Sequence, residues 1–206
     1  MFPWFPWPAI PWLALATVVF SVRLLGERTA ETRVDSLGAT LFGLVYVASM
    51  ISYFVRIAVP LPSDTITPDG RLLLCLWLIA TAKFADMGGY LTGLAIGRHK
   101  MSPQISPKKT WEGFVGGVLA SVGIAVLLAH LMRSHLPPHL TPLFAAVIAL
   151  PIALLSVVGD LVESVIKRRA NLKDSGQVLP GQGGYFDISD SLILVAPVGY
   201  LLFRLP

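Results

Sequence analysis

Six apolar runs, most of them about twenty residues long, constrain this chain more than any other feature of its sequence. A helix needs about 20 residues to cross the hydrocarbon core of a bilayer. Hydrophobic residues make up 54% of the 206 residues and charged residues only 14%, which excludes an ordinary soluble domain. The runs are one that ends at about Leu25, then Leu37 to Val59, Leu72 to about Gly93, Phe114 to Met132, Leu143 to Val158, and Ile188 to Leu205.

These runs predict an all-α, polytopic integral membrane protein with about six transmembrane helices. We expect one membrane domain over residues 1–206, in which residues 1–70 form N-terminal helices and residues 71–206 carry the functional part. The single cysteine, Cys75, excludes an internal disulfide. The net charge of +4 is compatible with an anionic lipid surface or a nucleotide, and does not decide between them.

Lysine and arginine residues are concentrated in two loops that are separated by two predicted spans. Loops separated by an even number of spans lie on the same side of a membrane. An excess of these residues marks the cytoplasmic side, so we expect both loops and the polar site at that side. The cations are Arg98, Lys100, Lys108 and Lys109 in the first loop and Lys167, Arg168, Arg169 and Lys173 in the second.

A polar stretch between the fifth and sixth runs has helical spacing. Four of its residues lie at i, i+3, i+4 and i+7, which is one face of a helix, and three more repeat the i, i+3, i+4 pattern at the start of the sixth run. Carboxylates near a membrane are costly and usually functional, which favours a site over a merely solvated helix end. The residues are Asp160, Glu163, Ser164 and Lys167, followed by Asp187, Asp190 and Ser191.

A second group of residues lies on the third run, where Asp86, Gly89, Tyr90 and Gly93 share a helical face and Lys83 lies one turn before Asp86. The glycines favour close approach of another helix. They do not explain the acid beside them.

The loop after the third run is also patterned. Ile105 to Pro107 is predicted to be extended or a turn, and Thr110 is predicted to cap the next helix, with Glu112 in its first turn. Lys108 and Lys109 then precede a helix N-terminus, which is a suitable place for a phosphate.

Together, the two groups resemble the phosphatidate cytidylyltransferase (CDP-diglyceride synthase) family. The late stretch is similar to the family signature at Ser164, Lys167, Arg168, Lys173, Asp174, Gly176, Leu179, Pro180, Gly183, Gly184, Asp187 and Asp190. The earlier stretch is similar to two further family elements at Asp86, Gly88, Tyr90, Gly93, Ile105, Ser106, Pro107, Lys109, Thr110, Glu112 and Gly113.

The resemblance implies transfer of a cytidylyl group from CTP, or dCTP, to phosphatidate in the bilayer, giving CDP-diacylglycerol and pyrophosphate. It implies Mg²⁺ with a possible second cation, a possible homodimer, a cytoplasmic or inner membrane location, and no nucleic-acid partner. The implied metal ligands are Asp160, Asp187 and Asp190, and the implied catalytic residues are Ser164, Lys167, Lys173 and Asp174. The implied substrate-binding residues are Asp86, Tyr90, Ser106, Lys109, Thr110, Arg168, Gln182, Gly183 and Gly184.

Three residues depart from the family pattern: Gln182 replaces a histidine, Ile188 an arginine and Gly89 an alanine. Glutamine can donate hydrogen bonds but cannot carry a proton near neutral pH as histidine can. An inactive or divergent paralogue that binds lipid or nucleotide is therefore one alternative. A membrane transporter is another, since it would explain charges such as Lys83 in a span. A CDP-alcohol phosphotransferase is disfavoured because its acidic motif is absent. Zinc is disfavoured because Pro137 and Pro138 separate His135 from His139.

Overall fold

The computed structural model describes residues 15, 18–19, 22, 30–59, 66–172, 174–176 and 183–204. Five helices in these ranges are long and apolar enough to cross a membrane: Leu37–Ala58, Pro68–Ile96, Trp111–Leu131, Pro142–Arg169 and Tyr185–Leu202. They correspond to the second to sixth predicted runs and confirm an all-α integral membrane protein. The first predicted run lies largely outside the described residues.

The chain divides into two compact units between Ser52 and Tyr53. The first unit includes helix α1 (Ala30–Gly43), a π-helical segment (Leu44–Ser49) and the first residues of α2 (Met50–Ala58). Within this unit the rings of Phe42 and Tyr46 stack with their centroids 5.2 Å apart.

The second unit contains four long helices: α3 (Pro68–Ile96), α4 (Trp111–Leu131), α5 (Pro142–Arg169) and α6 (Tyr185–Leu202). Helices α3 and α5 begin in the same way, with a threonine N-cap before a proline. Thr67 Oγ1 accepts a hydrogen bond from the Gly70 N–H, and Thr141 Oγ1 accepts one from the Phe144 N–H, each at 3.2 Å. Proline suits the first helical position because its missing N–H would have no helical partner there. Helix α5 continues without a break from the apolar fifth run into the charged stretch.

The core of the second unit lies where these four helices pack. Trp77 of α3 is fully buried, and its Nε1 donates to Ala125 O of α4 at 2.9 Å. This bond pairs the polar atom of the indole, which would be costly to leave unpaired inside a membrane bundle. The same hydrophobic core contains Ile148 and Ile152 of α5 and Val195 of α6. The four helices of this unit therefore share one hydrophobic core.

A β-hairpin connects α3 to α4. Strand β1 (Lys100–Ser102) pairs antiparallel with β2 (Ser106–Thr110), with Lys100 opposite Thr110 and Ser102 opposite Ser106. A turn occupies residues 103–105, which agrees with the turn or extended structure predicted around Ile105. The basic loop of the sequence is therefore an ordered hairpin.

Candidate active site

A cavity of about 520 Å³ lies between the hairpin and helices α3, α4 and α5. This volume is typical of sites for small molecules. Three lysines line it, Lys100, Lys108 and Lys109. Predicted site residues from both stretches of the sequence also line it: Asp86, Tyr90, Ser106, Lys109, Thr110 and Asp160.

Glycines form the part of the cavity wall where α3 meets α4. Gly89 of α3 and both Gly113 and Gly117 of α4 line the cavity. A Cβ atom on Gly117 would lie 2.5 Å from Ala85 O, and one on Gly113 would lie 2.7 Å from Gly89 O. Only glycine permits this approach of the two backbones, and it leaves this part of the wall without side chains.

The base of the hairpin is tied to the start of α4. Thr110 Oγ1 accepts a hydrogen bond from the Gly113 N–H at 3.1 Å, as the predicted N-cap requires. The Glu112 carboxylate accepts from the N–H groups of Arg98 at 3.1 Å and His99 at 3.2 Å, and it also pairs with His99 Nδ1. These bonds fix the hairpin at the edge of the cavity.

Lys109 connects the hairpin to α5. Its Nζ lies 2.8 Å from Asp160 Oδ2 and donates to Val157 O at 3.1 Å. Lys109 belongs to the earlier predicted stretch and Asp160 to the later one. Their direct ion pair therefore brings the two stretches together at one site.

Three carboxylates cluster beside the cavity. Asp160 and Glu163 lie one turn apart on α5, and Asp190 lies on α6; each offers an oxygen, and these oxygens lie within 4.8 Å of one another. Glu163 is 1% exposed, and its Oε1 has no hydrogen-bond partner among the described residues. A buried, unpaired carboxylate oxygen is costly, and a cation would satisfy it. An all-oxygen donor set of this kind could hold a hard divalent cation.

Asp187 lies outside this cluster and is bonded to other groups. Its Oδ1 is 2.7 Å from Lys167 Nζ, and its Oδ2 accepts from Ser175 N at 2.8 Å, Ser175 Oγ at 2.6 Å and Gly184 N at 2.7 Å. Lys167 Nζ also lies 3.0 Å from Glu163 Oε2. Gly183, at a φ of 86°, adopts a left-handed conformation that favours glycine and leads the chain into α6. Asp187 therefore holds the start of α6 and orients Lys167 toward the acidic cluster.

Four charged residues of the site were not among the predicted site residues: Lys100 and Lys108 on the cavity wall, and Glu163 and Lys83 beside it. Glu163 shares the helical face of Asp160, and Lys83 lies three residues before Asp86, so the i, i+3 spacing was the available signal in both cases. Lys83 Nζ donates to Ser191 Oγ at 2.7 Å and lies 3.6 Å from both Asp86 Oδ2 and Asp190 Oδ1.

Other predicted site residues lie apart from this geometry. Ser164 is half-buried, Arg168 and Asp174 are exposed, and none of the three lines the cavity in the described part of the chain. Lys173 and Gln182 lie outside the described residues.

The sequence matches the cytidylyltransferase family over residues 2–205. The chain belongs to the cytidylyltransferase family.

Among curated proteins, the chain is similar to several cytidylyltransferase-family relatives. It is 33% identical to the phosphatidate cytidylyltransferase of Thermotoga maritima over 94% of this chain and 68% of that protein. It is 33% identical to the enzyme of the same name from Haemophilus influenzae over 76% of this chain and 55% of that protein. An uncharacterized Escherichia coli protein is 40% identical over 70% of this chain and 46% of its own length. The matches therefore span between about half and two thirds of these relatives.

Proposed function

We propose that this chain transfers a cytidylyl group from CTP to phosphatidate, giving CDP-diacylglycerol and pyrophosphate for phospholipid biosynthesis. Two of its relatives are named for this reaction. The observation that carries the proposal is the cavity, where three lysines lie near Asp86 and Asp160. Joining two phosphate-bearing substrates requires their charges to be neutralised and their reacting atoms to be aligned, and the cavity supplies groups for both tasks.

The proposed reaction is a displacement at phosphorus. A phosphate oxygen of phosphatidate attacks the α-phosphorus of CTP and forms the new P–O bond. The bond from the α-phosphorus to the oxygen bridging to the β-phosphate breaks, and pyrophosphate leaves with that electron pair. A phosphate monoester is already anionic near neutral pH, so the nucleophile needs no general base.

The hairpin and the start of α4 are the proposed triphosphate site. Lys108 and Lys109 precede the α4 N-terminus, where lysine ammonium groups and helix N–H groups both favour a phosphate. Ser106 and Thr110 line the same wall and can donate hydroxyl hydrogen bonds. Lys167, oriented by Asp187, stabilises the charge that develops on the leaving pyrophosphate. We assign Lys173, Arg168 and the Gln182 amide to supporting contacts with the phosphates.

Asp160, Glu163 and Asp190 are the proposed ligands of Mg²⁺. Hard oxygen ligands suit this ion, and the unpaired Glu163 Oε1 supports the assignment. When bound, Mg²⁺ neutralises phosphate charge. Asp187 is assigned to hold Lys167, because both of its oxygens already have partners.

The lipid substrate is proposed to enter from the side of α3 and α4. Tyr90 and Leu94 line the cavity and are 67% and 73% exposed, and Phe114 lies beside them on the cavity wall. On a helix that crosses a bilayer, such exposed apolar surface faces the acyl chains. A phosphatidate headgroup can then reach the cavity while its acyl chains remain in the membrane.

The cavity is proposed to face the cytoplasm, as the positive-inside rule predicts. Single cysteines at the exposed positions Gln104 and Ala170, in a Cys75→Ser background, should be labelled by an impermeant maleimide from the cytoplasmic side, and one at Ser134 from the other side. If Gln104→Cys and Ala170→Cys were labelled from opposite sides, the two stretches could not form one site.

The decisive experiment is an assay of the purified protein with phosphatidate and radiolabelled CTP or dCTP, with and without Mg²⁺. We expect a labelled liponucleotide and released pyrophosphate only with Mg²⁺. Binding of nucleotide without product would indicate an inactive paralogue, and ion or solute flux in proteoliposomes without product would indicate a transporter. Light scattering of the same preparation tests the homodimer that the family resemblance implies, and a mass of one chain would exclude it.

A further inference from the structure

Asp86 is an acid of the cavity wall that the proposed reaction leaves without a task. Three lysines that suit phosphates line the same cavity, and a carboxylate repels a phosphate. Asp160, which also lines the wall, pairs with Lys109 at 2.8 Å and belongs to the acidic cluster. Asp86 lies outside that cluster. A group other than a phosphate is therefore needed to face Asp86.

A buried serine holds the Asp86 carboxylate in place. Ser156 of α5 is fully buried, and its Oγ donates to Asp86 Oδ1 at 2.7 Å. The contact of the same hydroxyl with Ala82 O is longer, at 3.2 Å, so its single hydrogen is directed to the carboxylate. Lys83 lies 3.6 Å from Asp86 Oδ2, and the Asp86 side chain is still 31% exposed. Asp86 thus has a fixed orientation and has surface left for a ligand.

The cavity wall next to Asp86 is made of backbone. Gly89 follows one turn later on α3, and Gly117 of α4 lies beside it, so a flat ring can approach closely there. Gly93, two turns after Asp86 and about 10 Å along the helix, is the residue that meets Thr110 at the proposed triphosphate site. A triphosphate bound at the hairpin can therefore extend its nucleoside toward Asp86.

The two substrates differ in what they offer a carboxylate. An ionised carboxylate only accepts hydrogen bonds. Phosphatidate carries ester oxygens and a phosphate, which are acceptors once the phosphate is fully ionised. CTP carries donors on its nucleoside, namely the ribose hydroxyls and the amino group of cytosine. The nucleoside is therefore the part of either substrate that suits Asp86.

We infer that Asp86 is a nucleoside-binding residue, which accepts a hydrogen bond from a hydroxyl or amino group of CTP, and that Ser156 is the positioning residue that holds its carboxylate. The inference assigns a part of CTP to one end of the cavity and rests on the proposed function.

The test compares two ligands of the purified protein by isothermal titration calorimetry, with Mg²⁺ and without phosphatidate. One ligand is CTP, and the other is inorganic triphosphate, which has no nucleoside. We expect Asp86→Asn to weaken CTP binding about tenfold, or about 1.4 kcal/mol, and Ser156→Ala to weaken it at least about threefold. Binding of inorganic triphosphate should stay within about twofold of wild type in both variants.

Ser121→Ala is the matched control. Ser121 of α4 is also fully buried and donates to α3, but to the backbone atom Thr81 O at 2.9 Å. This variant loses an interhelical hydroxyl without touching a carboxylate, so it should bind both ligands as the wild type does. An equal loss of CTP binding in Ser121→Ala and Ser156→Ala would make Ser156 merely structural. An equal loss of both ligands in Asp86→Asn would show that Asp86 faces the phosphates, which overturns the inference.

Three CTP analogues identify the donor and need no variant to decide the main point. The 2′-deoxy and 3′-deoxy forms of CTP each lack one ribose hydroxyl, and UTP lacks the amino group. The analogue without the donor should bind the wild type at least about threefold more weakly than CTP does, and this difference should vanish in Asp86→Asn. Wild-type binding of all three analogues as tight as that of CTP would overturn the inference.

Cytidylyl transfer by the wild type is measured on the same preparation. Selective binding of CTP without a labelled liponucleotide would remove the proposed reaction. Product formation together with indifference to the nucleoside would remove the role of Asp86 alone.

Discussion

The α3–α4 pair and the α5–α6 pair both contribute residues to the site, but the two helices of each pair are held together by different interactions. The first pair is held by close backbone contact: a Cβ atom on Gly113 of α4 would lie 2.7 Å from Gly89 O of α3. In the second pair, Lys167 links Glu163 of α5 to Asp187 of α6. The first pair therefore shapes the wall of the cavity, and the second carries the acidic cluster beside it.

This difference follows from the chemistry of a membrane bundle. Lipid is as apolar as a leucine side chain, so helices in it associate through close packing and polar contacts. The α3–α4 pair relies on close packing and the α5–α6 pair on polar contacts. The α5–α6 pair also has one close backbone contact, because a Cβ atom on Gly159 of α5 would lie 2.5 Å from Asp190 O of α6. That contact brings Asp190 next to Asp160. We expect the first pair to be sensitive to added volume and the second to lost charge.

Asp160→Asn should have the largest effect. Asp160 is both a proposed metal ligand and the ion-pair partner of Lys109, so losing its charge would affect both the acidic cluster and the position of Lys109 in the cavity. We expect cytidylyl transfer to fall at least about a thousandfold, or about 4 kcal/mol of barrier. The protein should still insert and elute as a single species on gel filtration. Turnover close to wild type at limiting Mg²⁺ would remove Asp160 from the site.

Asp187→Asn should have the next largest effect and a different signature. Because Asp187 orients Lys167 and holds the start of α6, we expect turnover to fall about a hundredfold, or about 2.7 kcal/mol. Mn²⁺ binding, measured by electron paramagnetic resonance, should remain within about threefold of wild type, which is about 0.7 kcal/mol. Loss of Mn²⁺ binding in this variant would instead make Asp187 a metal ligand.

Gly117→Ala tests the first pair. The added methyl would meet the backbone at Ala85 O, which cannot move as a side chain can, so we expect a loss of about 1–3 kcal/mol of stability. The control is Gly123→Ala on the same helix, where no atom lies within 4 Å of the new Cβ. That change should be neutral or stabilising by up to about 1 kcal/mol. Thermal unfolding in detergent measures both, and equal melting temperatures would contradict close packing at Gly117.

Gln182→His should have the smallest effect. The phosphate nucleophile needs no deprotonation, so a histidine at this position has no proton to accept, and we expect turnover to change by less than about tenfold, or 1.4 kcal/mol. Gln182→Ala should lose more activity because it removes a donor to the phosphates. A gain of several hundredfold in Gln182→His, with a new pH dependence near the imidazole pKa of about 6.5, would identify the chain as an impaired relative.

Local features were predictable from the sequence. The spans follow from apolar runs of bilayer length, and the Thr110 cap follows from a threonine before a helical pattern. Close approach at the α3 glycines was predicted because small residues at helical spacing permit it. Each depends on residues that are near neighbours in the chain, which is why the sequence alone contains the answer. The motifs also indicated the family.

The assignment of partners among the charged residues was decided only by the tertiary structure. The sequence grouped Asp160, Asp187 and Asp190 as metal ligands, whereas the fold groups Asp160 and Asp190 with Glu163. Lys83 and Ser191 are separated by 108 positions in the chain, yet they share a hydrogen bond. A carboxylate has the same chemistry whether it holds a cation or a lysine. The partner that each carboxylate meets depends on which helix packs beside it, and the packing of the whole bundle decides this.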